Sequence, residues 1–241
     1  MTGTEELLPA DLIGRRLLRV TTSWHHDAAN DATLLHLWLH LEGLGPVRVH
    51  TPGTGLSLTV DQPHEPYSMA EYGNVSVLDD SPETPVTRFV GRQIRSVREI
   101  RYRDGRVDFA AGLTLLFPDG SVRLLALDDE LVVAHDQHLG AVEAHLDEDV
   151  TIARAVQTCG GCPAQWDAWT TGGQYLYLRY RHGQGSVEAF PSEDPVHWGG
   201  EGPGLRSAWD DGTSGGEIDL TDFLAMAGLH LAPDAEVHPY R

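Results

Sequence analysis

Cys159 and Cys162 stand two glycines apart, and at that spacing two thiolates can chelate one zinc ion or cycle as a dithiol. A redox pair of this kind sits between a strand and a helix in a βαβ setting, which the surrounding sequence lacks. A closed zinc site needs four ligands, and the chain has no second Cys pair, so His182 and His197 complete a Cys2His2 set only if folding brings them in. Two thiols in a glycine turn is the simpler reading; no cofactor is required, and zinc is the one the residues leave open. His36 and His40 share a strand face with Trp38 between them, but about 13 Å of strand separates them, too far for one ion. They read as solvent-facing. Carboxylates cluster at Asp79-Asp80, Asp128-Asp129-Glu130, Asp147-Glu148-Asp149 and Asp210-Asp211, which read as solvated turns unless two of them converge in a cleft. No nucleophile elbow, dinucleotide fingerprint or calcium loop is present, so no catalytic residue is assigned.

The residues best suited to recognition lie further on. In a strand, Tyr175, Tyr177, Arg179 and Arg181 face one way and Leu176, Leu178 and Tyr180 the other. Tyr and Arg are enriched where binding energy concentrates, and Trp166 and Trp169 lie close by in sequence, so these six form the candidate partner- or ligand-binding set. The structural alternative is that the aromatics cover a core edge while the arginines answer the acidic surroundings.

Positioning these groups falls to a chain that repeats itself. Leu12 to Val20 is echoed by Phe89 to Val97 at an offset of 77, with Gly, Arg and Val coinciding, and Gly45 to Val49 is echoed by Gly120 to Leu124 at 75. Each copy alternates apolar and polar residues between Gly-containing turns, as in Leu113, Leu115 and Phe117 before Pro118-Asp119-Gly120. The expected fold is therefore α+β and mostly β: a duplicated antiparallel β domain over 1–136, with repeats at about 12–60 and 89–134 packed or merged about a pseudo-twofold axis. A smaller α+β region over 137–241 follows, with the Cys pair, an aromatic hairpin and a C-terminal helix over Asp222 to Leu229 capped by Thr221. The proline-containing stretch 61–85 reads as a long loop, 137–146 as a linker or short helix, and 191–216 as irregular.

Composition narrows the function classes. All 17 basic residues are arginine, against 36 acids, for a net charge of −19. Such a charge repels nucleic acid and anionic membranes and favours a basic partner. Absence of lysine excludes Schiff-base and P-loop chemistry, and the Ala, Gly and Arg bias fits a GC-rich, actinobacterial type of genome. With no apolar stretch long enough to span a bilayer and an acidic start, the expected location is the cytoplasm, where a homodimer is open. The Gly-Arg strands, the Asp119-Gly120 turn and the Val122-Arg123-Leu124 and Leu131-Val132-Val133 strands resemble small β-domains of the polymorphic-toxin immunity type. That resemblance covers residues 12–134 and implies a non-catalytic immunity or inhibitor protein that neutralises a basic partner. The alternative expectation is an enzyme or a small-ligand or zinc-binding protein, with a site between the β domain and the Cys/Trp-rich region.

Overall fold

The computed structural model describes residues 6–27, 32–53, 55–105, 107–127, 129–135, 137, 139–147, 150–197 and 204–240, and the chain divides into two compact units, Met1–Asp147 and Glu148–Arg241. The first unit contains β1 (Leu17–His26), β2 (Ala32–Leu41), β3 (Gly45–His50), β4 (Ser57–Val60), β5 (Tyr67–Ser68), β6 (Asn74–Asp79), β7 (Ser96–Asp104), β8 (Val107–Phe117), β9 (Gly120–Leu127), β10 (Glu130–Ala134) and β11 (Leu146–Asp147). They form one sheet in the order β4-β3-β2-β1-β6-β5 and a second in which β10-β9-β8-β7 are neighbours, with β11 on β7.

The duplication is visible as two four-stranded antiparallel meanders, β1 to β4 and β7 to β10, each entered through a short 3₁₀ turn, Pro9–Leu12 or Pro85–Phe89. Where the copies meet, their hydrogen bonds are reciprocal. Gly14 N donates to Ile94 O at 2.9 Å and its equivalent Gly91 N donates to Leu17 O at 2.7 Å; Ile94 N reaches Arg15 O (2.9 Å) as Leu17 N reaches Arg92 O (2.8 Å). The side chains obey the same exchange, Gln93 Nε2 donating to Gly14 O (2.5 Å) and Arg16 Nη1 to Gly91 O (2.7 Å). Because residue i bonds j while the counterpart of i bonds the counterpart of j, the two copies are related by a local twofold axis through the Arg16–Gln93 bridge. Both glycines hold positive φ, +76° and +86°, a conformation that a Cβ disfavours.

Stretch 61–85 differs from the expected loop. It carries β5, a 3₁₀ turn at Ala70–Tyr72, and β6, which pairs with β1 with Ser23 opposite Val77. Val75 supplies the reason: it is 2% exposed, so alternation here serves a buried strand face despite the flanking prolines. Segment 61–66 crosses the face of β2 that carries His36 and Trp38, so His36, expected to face solvent, is half-buried with its ring 5.7 Å from that of His64, and Trp38 is 1% exposed. Residues 137–146, read as a linker or short helix, include a 3₁₀ turn (Gly140–His145), and β11 sets Leu146 opposite Tyr102 on β7, so the first unit runs to Asp147.

The second unit contains β12 (Val150–Gly160), β13 (Ala164–Thr170), β14 (Tyr175–Arg181), β15 (Gln184–Phe190), β16 (Gly204–Asp210), α1 (Leu220–Ala227) and β17 (Leu229–His238). Its strands run in the order β16-β15-β14-β13-β12-β17, antiparallel except that β17 lies parallel to β12. Strand β16 arises inside the stretch expected to be irregular, because Ala208 and Trp209 are buried against the sheet. The helix sits two residues earlier than expected: Asp219, not Thr221, takes the N-cap position, and Gly228 in the left-handed region ends it. Helix α1 buries Phe223, Leu224 and Ala227 on Ile152, Trp166, Leu178, Val187 and Trp209. Gly185 makes room for this packing, since a Cβ there would lie 2.0 Å from the Trp209 ring. Among the described residues the architecture is thus mostly β with one short α-helix, and no helix is long and apolar enough to cross a membrane.

Candidate functional site on the open face of the second sheet

One face of the second sheet lies under α1, and strand alternation sends the remaining side chains to the other. On β13 that outer set is Gln165, Asp167 and Trp169; on β14 it is Tyr175, Tyr177, Arg179 and Arg181; on β15 it includes Ser186, Glu188 and Phe190. Cross-strand register aligns them into rows. In the first row Arg154 faces Trp169, Trp169 faces Tyr175 and Tyr175 faces Phe190. Ring centroids along it are 5.6 Å and 6.4 Å apart, and the Arg154 guanidinium lies 4.5 Å over the Trp169 ring, a cation–π contact. A second row sets Val156, Asp167, Tyr177 and Glu188 side by side, and a third sets Cys159, Gln165, Arg179 and Ser186.

Hydrogen bonds tie the rows together. The Tyr175 hydroxyl donates to Asp167 Oδ1 at 2.8 Å, and Gln165 Nε2 donates to the Tyr177 hydroxyl, leaving that phenol its own proton to give. Burial, then the Asp167 carboxylate, push the Tyr175 phenol up. Burial also raises Tyr177, with Arg179 opposing. Burial raises the Glu188 carboxyl, while Arg179 and a hydrogen bond from Ser186 pull it back. These phenols therefore stay protonated at neutral pH and act as hydrogen-bonding groups, not nucleophiles. Trp169 and Tyr177, both half-buried, offer π surface beside Asp167 and Glu188, the chemistry that accepts a guanidinium or ammonium group, while Tyr175 and Phe190 are buried beside them. At its β12 end a groove of about 420 Å³ opens between Arg154, Val156, Gln157, His238, Pro239 and Tyr240.

Of the six residues expected to recognise a partner, Tyr175, Tyr177, Arg179, Arg181 and Trp169 share this face. Trp166 does not: it is 2% exposed and packs 5.2 Å from Phe223 under α1, so it belongs to the core. Tyr175, 6% exposed, is an anchor for its neighbours, and Arg181 lies at the strand end, its Nε donating to His182 Nε2 at 3.1 Å. Residues not anticipated are Arg154, Gln165, Asp167 and Glu188. Gln165 and Asp167 stand at period two with Trp169, and Glu188 with Phe190, which was the available signal; the cross-strand register that brings Arg154 to Trp169 was not.

Of the four metal-candidate residues, three have described side chains. Cys159 lies on β12 opposite Gln165, and Cys162 is exposed in the following turn, its side chain against Gly216; both are free thiols. His182 occupies the β14–β15 turn at φ +54°. His197 ends a 3₁₀ turn (Pro195–His197), its side chain outside the described residues, as are Trp198, Asp128 and Glu148-Asp149 of the acidic runs. Among the described residues no three His, Cys, Asp or Glu side chains come together as a metal site. No family model, curated protein or solved structure matches the chain.

Proposed function

We propose that the protein is a non-catalytic, cytoplasmic binding protein of the immunity or inhibitor type, and that the open face of its second sheet engages a basic protein partner. The observation that carries this reading is the seat already taken by a cation: the Arg154 guanidinium lies on Trp169, in a ladder flanked by Asp167 and Glu188. A partner's arginine meets the same chemistry at Tyr177 and Glu188. Charge supports it at longer range, since residues 1–147 carry 12 Arg against 22 acids and residues 148–241 carry 5 against 14, so both units draw a cationic protein inward.

An oligo-arginine peptide, titrated by calorimetry at low and near-physiological salt, serves as the probe. Binding should weaken with salt, and Tyr177→Ala combined with Glu188→Gln should cost about tenfold or more in affinity, the scale of a modest hot spot. The control, Glu42→Gln, removes an equal charge from an exposed pair with Arg16 on the first unit. Equal losses in both variants would reduce the binding to bulk charge and end the claim for this face. A second reading, a small-ligand protein, is favoured by the groove at Arg154, whose cation and Gln157 amide suit a carboxylate-bearing molecule. Benzoate binding that is lost in Arg154→Gln supports that reading; no benzoate binding removes it.

A further inference from the structure

In the first unit, segment 61–66 joins the two edge strands of the sheet, β4 and β5, and crosses the face that carries His36 and Trp38, with Pro63 and Pro66 favouring an extended path. At mid-span His64 donates its Nδ1 proton to Glu65 O (3.0 Å) and sets its ring edge-on to Trp38 at 5.3 Å, His36 at 5.7 Å and Tyr67 at 5.3 Å. Four buried polar atoms around the crossing have no hydrogen-bond partner, namely Trp38 Nε1, Arg48 Nε, His50 Nδ1 and His64 Nε2.

We propose that this segment is an acid-operated strap: protonation of His36 and His50, which lie among Arg48 and His64, drives 61–66 off the sheet and uncovers Trp38. The groups facing these imidazoles leave a new positive charge poorly answered. Strand β1 presents the neutral Ser23, whose Oγ lies 3.0 Å from His36 Nδ1; β3 presents Arg48; the strap presents His64 and Asp61; and β5 presents the Tyr67 phenol. Asp61 is the carboxylate among them, and Arg48 holds it in an ion pair at 2.9 Å. Release has a weak point, because β5 is two residues long and meets β6 at the Tyr67–Val75 and Ser68–Asn74 pairs.

The sign follows from linkage. Burial first, then Arg48, His64 and His50, lower His36 to about 4, so the closed strap keeps it neutral, whereas an open strap returns it to the solvent value near 6.5. Opening thus takes up a proton between pH 6.5 and 4, and the closed form, favoured above that window, loses ground within it. His50 is lowered for the same reasons, burial and then Arg48. With solvent screening of the half-exposed ring, the open population should rise about 10- to 100-fold across the window.

Hydrogen exchange of the β5 and β6 amides from pH 7 to 4, corrected for intrinsic rate, reads this opening. The expected result is a rise of that size in the wild type, flattened in His36→Gln and retained in Asp61→Asn, with β14 in the second unit unchanged. Imidazole NMR of the unsubstituted protein gives an independent reading that does not depend on a variant folding. A His36 that titrates near 6.5 in the closed protein, or an acid opening equally large in His36→Gln, would overturn the proposal.

Discussion

At the scale of single residues, the open face of the second sheet retains groups that cost stability. Glu188 is the clearest: burial raises its carboxyl, so folding disfavours the charged form relative to the unfolded chain. For an acid raised on folding, the folded chain holds the proton longer than the unfolded one, and stability falls as pH climbs past the unfolded value near 4.5. Glu188→Gln should therefore stabilise the protein at pH 7 by a few tenths of a kcal/mol, after allowance for its partial exposure, and leave it unchanged below pH 4. Urea denaturation at both pH values checks this; a loss of stability at pH 7 would show that the charge is satisfied in place. The tyrosine side of this face was legible from alternation alone. Alternation also held the correction for Trp166, since residues three apart on a strand point to opposite sides, and Trp166 and Trp169 could not both reach a partner. Asp167 and Glu188 were not legible, because what joins them to Tyr177 is a register between three strands.

At the scale of elements, the repeated Gly-Arg segment is a seam. Gly14 and Gly91 occupy equivalent places, each with positive φ and each donating its N–H across the local axis. Equivalence has a measurable consequence. Gly91→Ala has open space for its Cβ, so its cost is conformational, about 1 to 2 kcal/mol for a left-handed alanine. Gly14→Ala should cost a similar amount if the axis is energetically as well as geometrically symmetric. Chemical denaturation of the two variants compares them; a cost for one and none for the other would make the seam one-sided. The repeat was readable because both copies preserve the order of strand, turn and strand. Strands β6, β16 and β17 were not, for a shared reason: each lies beside Gly, Pro or Asp residues that mark turns, and each is fixed by pairing to a distant strand, β6 to β1, β16 to β15 and β17 to β12.

At the scale of the whole molecule, the surplus of acid is shared by both units but balanced differently in each. The first unit answers much of its charge internally: Arg16, Arg19, Arg48, Arg92, Arg101, Arg103 and Arg123 all lie within ion-pair distance of carboxylates. The second has 5 arginines for 14 acids, and one of those arginines, Arg154, sits on a tryptophan. Added salt has opposite effects on these arrangements. It screens the attraction in exposed ion pairs, worth well under about 1 kcal/mol each, and it screens the self-repulsion of like charges. Net charge is −10 over 147 residues in the first unit and −9 over 94 in the second, so relief of repulsion weighs more in the second. Raising ionic strength should therefore slow hydrogen exchange at the core of the second unit, read at Leu176 and Leu178 on β14, more than at Leu115 on β8. Equal protection gains in both units would mean that repulsion is spread evenly over the chain. The reverse order would place the unanswered charge in the first unit, and with it the surface that a basic partner meets first.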